Sequence, residues 1–144
     1  MKSYTDLEQS KKLSEILPLA SADMWWLYVT AQGKRIAMMC EEPDPHYLAR
    51  MEGYGIKDAA VRCWSLAALL DALRIFTTPT AFSAKVSVPS LSKTENGYKL
   101  TYTGDYTSMV INGLDIKAPI ESVADNPIDA CYELILKLNK LKML

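Results

Sequence analysis

The strongest structural signal in this chain lies near its C-terminus, in the segment Ala124-Asp125-Asn126-Pro127-Ile128-Asp129-Ala130-Cys131-Tyr132-Glu133-Leu134-Ile135-Leu136-Lys137-Leu138. Asn126 is a residue type that caps helices, and Pro127 suits the first helical position because its missing N–H would have no partner there. Apolar residues then recur at intervals of three and four, which is typical of a helix with one buried face. We predict a helix over residues 127–142 that packs into a core.

Length and composition fit a single domain over residues 1–144, since 49% of its residues are hydrophobic and such a chain can bury a sizeable core unaided. The 16 basic and 17 acidic residues leave a net charge of −1, which attracts neither nucleic acid nor anionic membranes. Cys40, Cys63 and Cys131 are far apart in the sequence, as free thiols of a reducing compartment often are. We expect a cytoplasmic protein with no membrane or nucleic-acid partner.

The N-terminal part of the chain predicts a helix followed by a hairpin. Thr5-Asp6-Leu7-Glu8 matches a capping box, so a helix should run over residues 6–17 and end at Pro18. Two runs of strand-forming residues, 24–30 and 35–40, flank a turn in which Gly33 can adopt positive φ. Both faces of this hairpin are apolar, so both require cover.

The middle of the chain is irregular before it becomes helical. Over residues 41–62, a short helix is bracketed by the cap Asp44, the first-turn residue Pro45 and the terminal Gly53. A second helix, almost wholly apolar, should occupy residues 65–73 with Ser65 as its cap.

The second half of the chain alternates as strands do. Residues 84–89 and 98–103 flank an Asn-Gly turn at 96–97, and further strands are expected at 109–111 and within 114–120. The whole order predicts an α+β fold: a single domain with a mostly antiparallel sheet of four to six strands and about three helices packed on it.

Four segments of the chain carry a resemblance to known sequences; they cover residues 7–13 with 16–18, 22–24, 63–70 and 124–131. Together they resemble an uncharacterised family of short proteins of gut anaerobic bacteria, often phage-derived or carried on mobile elements. The resemblance implies a bacterial accessory protein of a prophage or mobile element. It implies no catalytic or ligand-binding residue.

His46 is the single histidine, so a catalytic triad or a Cys-Cys-His zinc site would have to use it. Cys40 and Cys63 flank it in sequence, but no C-x₂-C pair anchors such a site. We therefore assign no catalytic, cofactor-binding or metal-binding residue, and leave the question of an enzyme open. A small enzyme or metal-dependent protein centred on residues 40–63 with His46 stays the alternative hypothesis.

The hairpin over residues 24–39 gives the preferred hypothesis. If helices cover only one of its faces, Trp26, Tyr28 and Met39 would be exposed, and aromatic and Met residues are enriched in protein interfaces. Cover from within the same chain is the other explanation. We expect a non-enzymatic binding or assembly module that contacts a protein partner or a second copy through this hairpin. Nothing in the sequence indicates a small-molecule ligand.

Overall fold

A computed structural model gives the fold, and it describes residues 2–76, 89–102, 109–111, 114–116 and 120–141. In chain order, the helices and strands of these residues are α1 (Leu7–Ser14), β1 (Met24–Val29), β2 (Lys34–Met38), α2 (Pro45–Gly53), β3 (Ala60–Cys63), α3 (Leu66–Phe76), β4 (Pro89–Thr94), β5 (Gly97–Tyr102), β6 (Met109–Ile111), β7 (Leu114–Ile116), β8 (Ile120–Ala124) and α4 (Pro127–Lys140). Every strand pair among them is antiparallel. The predicted α+β class is confirmed.

Helix α1 has its cap at Asp6, one residue after the predicted cap Thr5, and it ends at Ser14 rather than at residue 17. A carboxylate oxygen of Asp6 accepts a hydrogen bond from the Gln9 N–H at 2.8 Å, and the Gln9 side chain accepts one from the Asp6 N–H at 3.2 Å. The predicted capping box of Thr5 with Glu8 is therefore wrong. The Thr5 hydroxyl is buried instead and accepts a hydrogen bond from the backbone N–H of Trp64 at 3.1 Å.

Helix α4 confirms the C-terminal prediction. The Asn126 side chain accepts a hydrogen bond from the Asp129 N–H at 2.9 Å, and Pro127 occupies the first turn. The buried side of the helix carries Ile128, Leu134 and Leu138, and each apolar side chain of this size contributes about 1.5–3 kcal/mol on full burial. Packing therefore holds α4 in place more than helix propensity does.

The first sheet has the strand order β2-β1-β3. Strands β1 and β2 form the predicted hairpin, and Gly33 has a φ of +63° in its turn. Strand β3 pairs with the other edge of β1, so β1 is central. The prediction left this segment irregular and missed β3, a strand of only four residues.

The second sheet has the order β4-β5-β8, and β6 and β7 form a separate two-stranded ribbon. Strand β5 is central and packs against α4 with Leu100 and Tyr102, both buried. Ser122 on β8 donates a hydrogen bond to the Ala130 carbonyl of α4. The prediction placed the first strand of the 96–97 hairpin at residues 84–89; the observed partner strand is β4.

The predicted sheet of four to six strands is wrong, because the described strands divide into two three-stranded sheets and a ribbon. Helix α1 lies beside β3, and no described strand of the second sheet pairs with the first. The described helices are also four in number, one more than expected. The predicted strand at 84–88 and the turn at 112–113 lie outside the described residues.

One hydrophobic core joins α1, α3 and α4 to the second sheet. Its buried members include Leu13 on α1, Trp64 just before α3, Leu69 on α3, Leu100 on β5, and Leu134 on α4. Among the described residues, no member of the first sheet belongs to this core. The first sheet therefore rests beside the main core and leaves much of its own surface for other contacts.

Candidate protein-binding surface

Strand β1 is unusual because it is both central and incompletely covered. Its sequence is Met-Trp-Trp-Leu-Tyr-Val, and all six of its residues are partly exposed. A central strand of apolar residues is normally buried on at least one face. The first sheet therefore leaves apolar side chains of its central strand partly exposed to solvent.

The strand register divides the side chains of this sheet between two faces, because residues opposite each other in antiparallel strands point the same way. The Trp26 face comprises Met24, Trp26, Tyr28, Arg35, Ala37, Val61 and Cys63. The Trp25 face comprises Trp25, Leu27, Val29, Lys34, Ile36, Met38, Ala60 and Arg62.

The Trp26 face is covered by the N-terminal segment of the chain. The indole N–H of Trp26 donates a hydrogen bond to the Thr5 carbonyl at 3.0 Å. The Tyr4 ring meets the Trp26 ring edge-on, with centroids 5.6 Å apart. On the neighbouring strand, Val61 and Cys63 are buried. Cover from within the chain therefore accounts for much of the apolar character of this face.

Tyr28, at the far end of the Trp26 face, is also engaged. Its backbone carbonyl accepts a hydrogen bond from the Tyr47 hydroxyl on α2. The Arg35 guanidinium lies 5.8 Å from the centre of the Tyr28 ring and donates a hydrogen bond to the Lys57 carbonyl at 2.9 Å. These contacts tie the hairpin to α2 and to the chain before β3.

Met39 differs from Trp26 and Tyr28, the two residues with which it was grouped. It lies just after β2, and 75% of its surface is exposed. Met38, the last residue of β2, is 38% exposed and belongs to the Trp25 face. The structure thus brings Trp26 and Tyr28 into contacts within the chain and leaves Met39 open. An interface formed by all three residues stays a prediction.

The Trp25 face contains no buried residue among those described. On it, the Arg62 guanidinium stacks over the Trp25 ring, with its central carbon 4.2 Å from the ring centre. The Nε of Arg62 is buried, and within the described part of the chain it has no hydrogen-bond partner. Stacking orders the two side chains against each other and presents them together on this face.

A groove of about 360 Å³ borders this stacked pair; Lys11, Leu19, Trp25, Glu42, Asp58 and Arg62 are among its lining residues. Lys11 and Asp58 form an ion pair across 3.6 Å at its rim. Leu19 is 49% exposed. The groove therefore combines an apolar floor with charges of both signs, a composition suited to a protein surface.

The alternative site around His46 is not assembled. His46 is exposed at the start of α2, where its backbone N–H donates to the Asp44 carboxylate at 2.8 Å. Cys40 is exposed, whereas Cys63 is buried beneath Thr5. Over the residues that the structure describes, no three His, Cys, Asp or Glu side chains are grouped to hold a metal ion.

Sequence reasoning missed the stacked pair because it did not predict β3, on which Arg62 lies. One signal is present in the sequence, since Val61, Arg62 and Cys63 read apolar, polar, apolar, as residues of a short strand do. That pattern would have placed Arg62 on one face of a strand, although not its partner strand.

No known family model matches the chain, and none of the curated proteins or solved structures is significantly similar to it. Across the described residues, no helix combines the length and the apolar character needed to cross a membrane. The function proposed below rests on the chain's own residues.

Proposed function

We propose that the protein is a non-enzymatic binding or assembly module that contacts another protein surface through its 24–39 hairpin. The observation that carries this proposal is the partial exposure of all six residues of β1, the central strand of the first sheet. The Trp25 face is the part of the hairpin that supports it best, because none of its described residues is buried.

The chemistry of the Trp25 face favours a protein ligand. Aromatic, Met and Arg side chains dominate the central residues of protein interfaces, and this face presents Trp25, Met38 and Arg62 together. Stacking already fixes the Trp25 and Arg62 side chains, so their ordering on binding would cost little entropy. A partner that covers them gains apolar burial at roughly 25 cal/mol per Å².

We propose the biological setting from the sequence resemblance. The segments at residues 7–13 with 16–18, 22–24, 63–70 and 124–131 support a bacterial prophage or mobile-element protein. The three free cysteines support a reducing, cytoplasmic location. The order of neighbouring genes tests the setting. Phage or transposition genes on both sides would support it, and a conserved metabolic operon would contradict it.

Site-specific photo-crosslinking in the producing cells tests the binding module. A photoreactive phenylalanine analogue in place of Met39 should form discrete cross-linked species, because Met39 is 75% exposed at the end of the 24–39 hairpin. The same analogue in place of Glu133, exposed on α4, is the matched control and should form none. A second substitution, Leu27→Gln on the Trp25 face, should reduce the Met39 cross-links.

Equal cross-linking at both positions, or none at Met39, would contradict the proposal. The substitution His46→Ala separates it from the enzyme alternative, because His46 is exposed and contacts Asp44 only through its backbone N–H. A binding module keeps its Met39 cross-links after this change. An enzyme centred on residues 40–63 would lose its activity and leave Met39 unlinked throughout.

A further inference from the structure

Strand β2 is an edge strand whose outer side is open. The Tyr28 N–H donates a hydrogen bond to the Ala59 carbonyl beside β3. Successive residues of a strand direct their backbone N–H and C=O groups to opposite sides, so the even-numbered residues of β1 bond toward β3 and the odd-numbered residues toward β2. Leu27 is opposite Ile36, and Ile36 therefore bonds to β1. The backbone groups of Arg35 and Ala37 point away from the sheet, and no other described strand pairs with them.

The sequence around this edge is complementary to itself in an antiparallel sense. Residues 34–42 read Lys-Arg-Ile-Ala-Met-Met-Cys-Glu-Glu, with two cations at one end, two carboxylates at the other and five apolar residues between them. When two copies of this segment run antiparallel side by side, Lys34 of one lies opposite Glu42 of the other and Arg35 opposite Glu41. Met38 then lies opposite Met38 of the second copy. Opposite charges facing each other across antiparallel strands stabilise the pair.

We propose that β2 pairs with β2 of a second copy of this chain, antiparallel about a two-fold axis at Met38. The proposal rests on the binding function above and names its partner. It joins the two first sheets into one six-stranded sheet, since each contributes three strands. The resulting contact is isologous, so each surface meets its own copy.

The backbone directions agree with this register. Within β2 the outward-pointing residues are Arg35 and Ala37. Continuing the strand makes Met39 and Glu41 point outward as well, and the register then pairs Arg35 with Glu41 and Ala37 with Met39, so that outward groups meet outward groups. A shift of one residue would set outward groups against inward ones. A shift of two in one direction keeps the hydrogen bonds but sets Lys34 opposite Cys40, which removes the ion pairs. A shift of two in the other direction sets Lys34 opposite Asp44 but Arg35 opposite Pro43, which has no N–H for the ladder. Charge and hydrogen bonding together select one register.

Side-chain exposure is also consistent with a second copy. Lys34, Glu41 and Glu42 are exposed, and none of them forms an ion pair with another described residue. Met38 and Met39 are 38% and 75% exposed. In the structure β2 ends at Met38, and Glu42 borders the groove beside Trp25 and Arg62. Pairing therefore requires residues 39–42 to leave this position and extend β2 to Glu42, and Pro43 ends the strand because proline lacks the N–H that the ladder needs.

Charge reversal tests the register, and Lys34 and Glu42 are suitable because Arg35 already contacts Tyr28 and the Lys57 carbonyl. Lys34→Glu alone and Glu42→Lys alone each replace both Lys34–Glu42 ion pairs by like charges, while the two Arg35–Glu41 pairs are unchanged. Each should raise the dissociation constant of the dimer at least about tenfold. An equimolar mixture of the two variants restores both ion pairs and should return the constant to within about threefold of the wild-type value.

Sedimentation velocity from micromolar to millimolar concentration measures these constants. Lys93→Glu, an exposed charge reversal on edge strand β4, is the matched control and should leave the constant unchanged. A wild-type chain that stays monomeric throughout would overturn the pairing. Association that survives both reversals, or variants that do not recover on mixing, would overturn it as well.

A cysteine at the axis gives a second readout. In a Cys40→Ser background, Met38→Cys should form a disulfide-linked dimer under mild oxidation, because residues opposite each other at a non-hydrogen-bonded position lie about 4.5 Å apart between Cα atoms, within disulfide range. Lys34→Cys in the same background faces Glu42 and should link at least about tenfold more slowly. Equal rates would overturn the register.

The self-pairing and the binding module fail in different ways. If the purified chain is monomeric while Met39 cross-links to a protein of another mass in cells, the self-pairing is wrong and the binding module stands. If Met39 forms no cross-link and charge reversal still weakens a dimer, the β2 edge pairs without serving as the cell's binding site, and the binding module is wrong.

Discussion

The three cysteines of the chain differ in their surroundings, and their reactivity should differ accordingly. Cys131 is buried in α4, and burial raises the pKa of its thiol to about 12. Burial also raises the pKa of Cys63, although hydrogen bonding with Thr5 and Ser10 opposes the shift. Cys40 is exposed. Because the thiolate is the reactive species, we expect Cys40 to react first.

A chromogenic disulfide reagent at mildly basic pH measures this difference. In the native chain one thiol should react rapidly with the reagent, and all three thiols should react only after denaturation. Cys40→Ser should remove the rapid phase, whereas the control Cys131→Ser should leave it intact. Two rapid thiols in the native chain would contradict the burial of Cys63 and Cys131.

Asp129 links the starts of α1 and α4, and its charge should contribute to stability. Burial alone would raise the pKa of this carboxyl, but hydrogen bonds from Lys2, Gln9 and Asn126 outweigh it and hold the pKa below 3.8. A carboxyl with a lowered pKa in the folded state stabilises the fold above its ordinary pKa. That stabilisation is lost as the pH falls through the folded pKa.

Asp129→Asn should therefore cost about 1 kcal/mol of unfolding free energy at neutral pH, a modest value because solvent screens the partly exposed carboxylate. The difference from the wild type should shrink as the pH falls below 3.8. Urea denaturation at several pH values measures it. Asp71→Asn is the control, since Asp71 is 69% exposed and meets Arg74 only at 3.7 Å. An Asp129→Asn deficit that does not vary with pH would contradict the role of the charge.

The hairpin of β4 and β5 depends on Gly97. Its φ is +126°, and a Cβ built there would lie 2.3 Å from the Ala124 carbonyl oxygen of β8. Gly97→Ala should lower the free energy of unfolding by at least about 2 kcal/mol, because the neighbouring backbone would have to shift. Gly53→Ala is the control: Gly53 ends α2 with nothing within 4 Å of such a Cβ, and should be neutral or stabilising by about 0.5 kcal/mol. Thermal unfolding of both variants measures the contrast; equal effects would contradict the close approach.

Helix ends and turns were the parts of the fold most open to prediction, because their signals are local. Asn126 with Pro127 and Asp44 with Pro45 mark the starts of α4 and α2, as predicted. The start of α1 shows the limit of a local motif. Thr5 and Asp6 are both good caps, and a distant partner, the Trp64 N–H, engages the Thr5 hydroxyl.

Strand β3 was missed for a similar reason, since its partner β1 lies about 35 residues earlier in the chain.

The candidate surface was only partly predictable. Its location in the 24–39 hairpin followed from apolar residues on both faces, but the sequence did not indicate which face the chain itself would cover. Tyr4 and Thr5 cover Trp26 from a segment some 20 residues away. The open edge of β2 depends on the strand order, because β3 pairs with β1 rather than with β2. Long-range packing of this kind leaves no periodic signal in the sequence.

The separation of the first sheet from the main core should divide the molecule into regions of different stability. Leu134 belongs to the core of α1, α3, α4 and β5, whereas Met51 of α2 is 2% exposed but lies outside that core. The described first sheet contributes no residue to the core either. We therefore expect amides of α2 and the first sheet to exchange with solvent through a local unfolding event of lower free energy than the one that exposes amides of α4 and β5.

Two truncations and a control separate these regions by native-state hydrogen exchange. Leu134→Ala should lower the opening free energy of α4 and β5 amides by about 2–5 kcal/mol. It should leave that of α2 unchanged, because the core persists when α2 opens. Met51→Ala should lower the opening free energies of α2 and of α4 alike, because α2 is exposed in the local opening and in global unfolding, and both then start from a weakened native state. The control Leu48→Ala, at a site 40% exposed, should change neither opening free energy by more than about 0.5 kcal/mol. If Leu134→Ala weakens α2 as much as α4, the first sheet and the core open as one unit, and the surface of the first sheet is held as rigidly as the core.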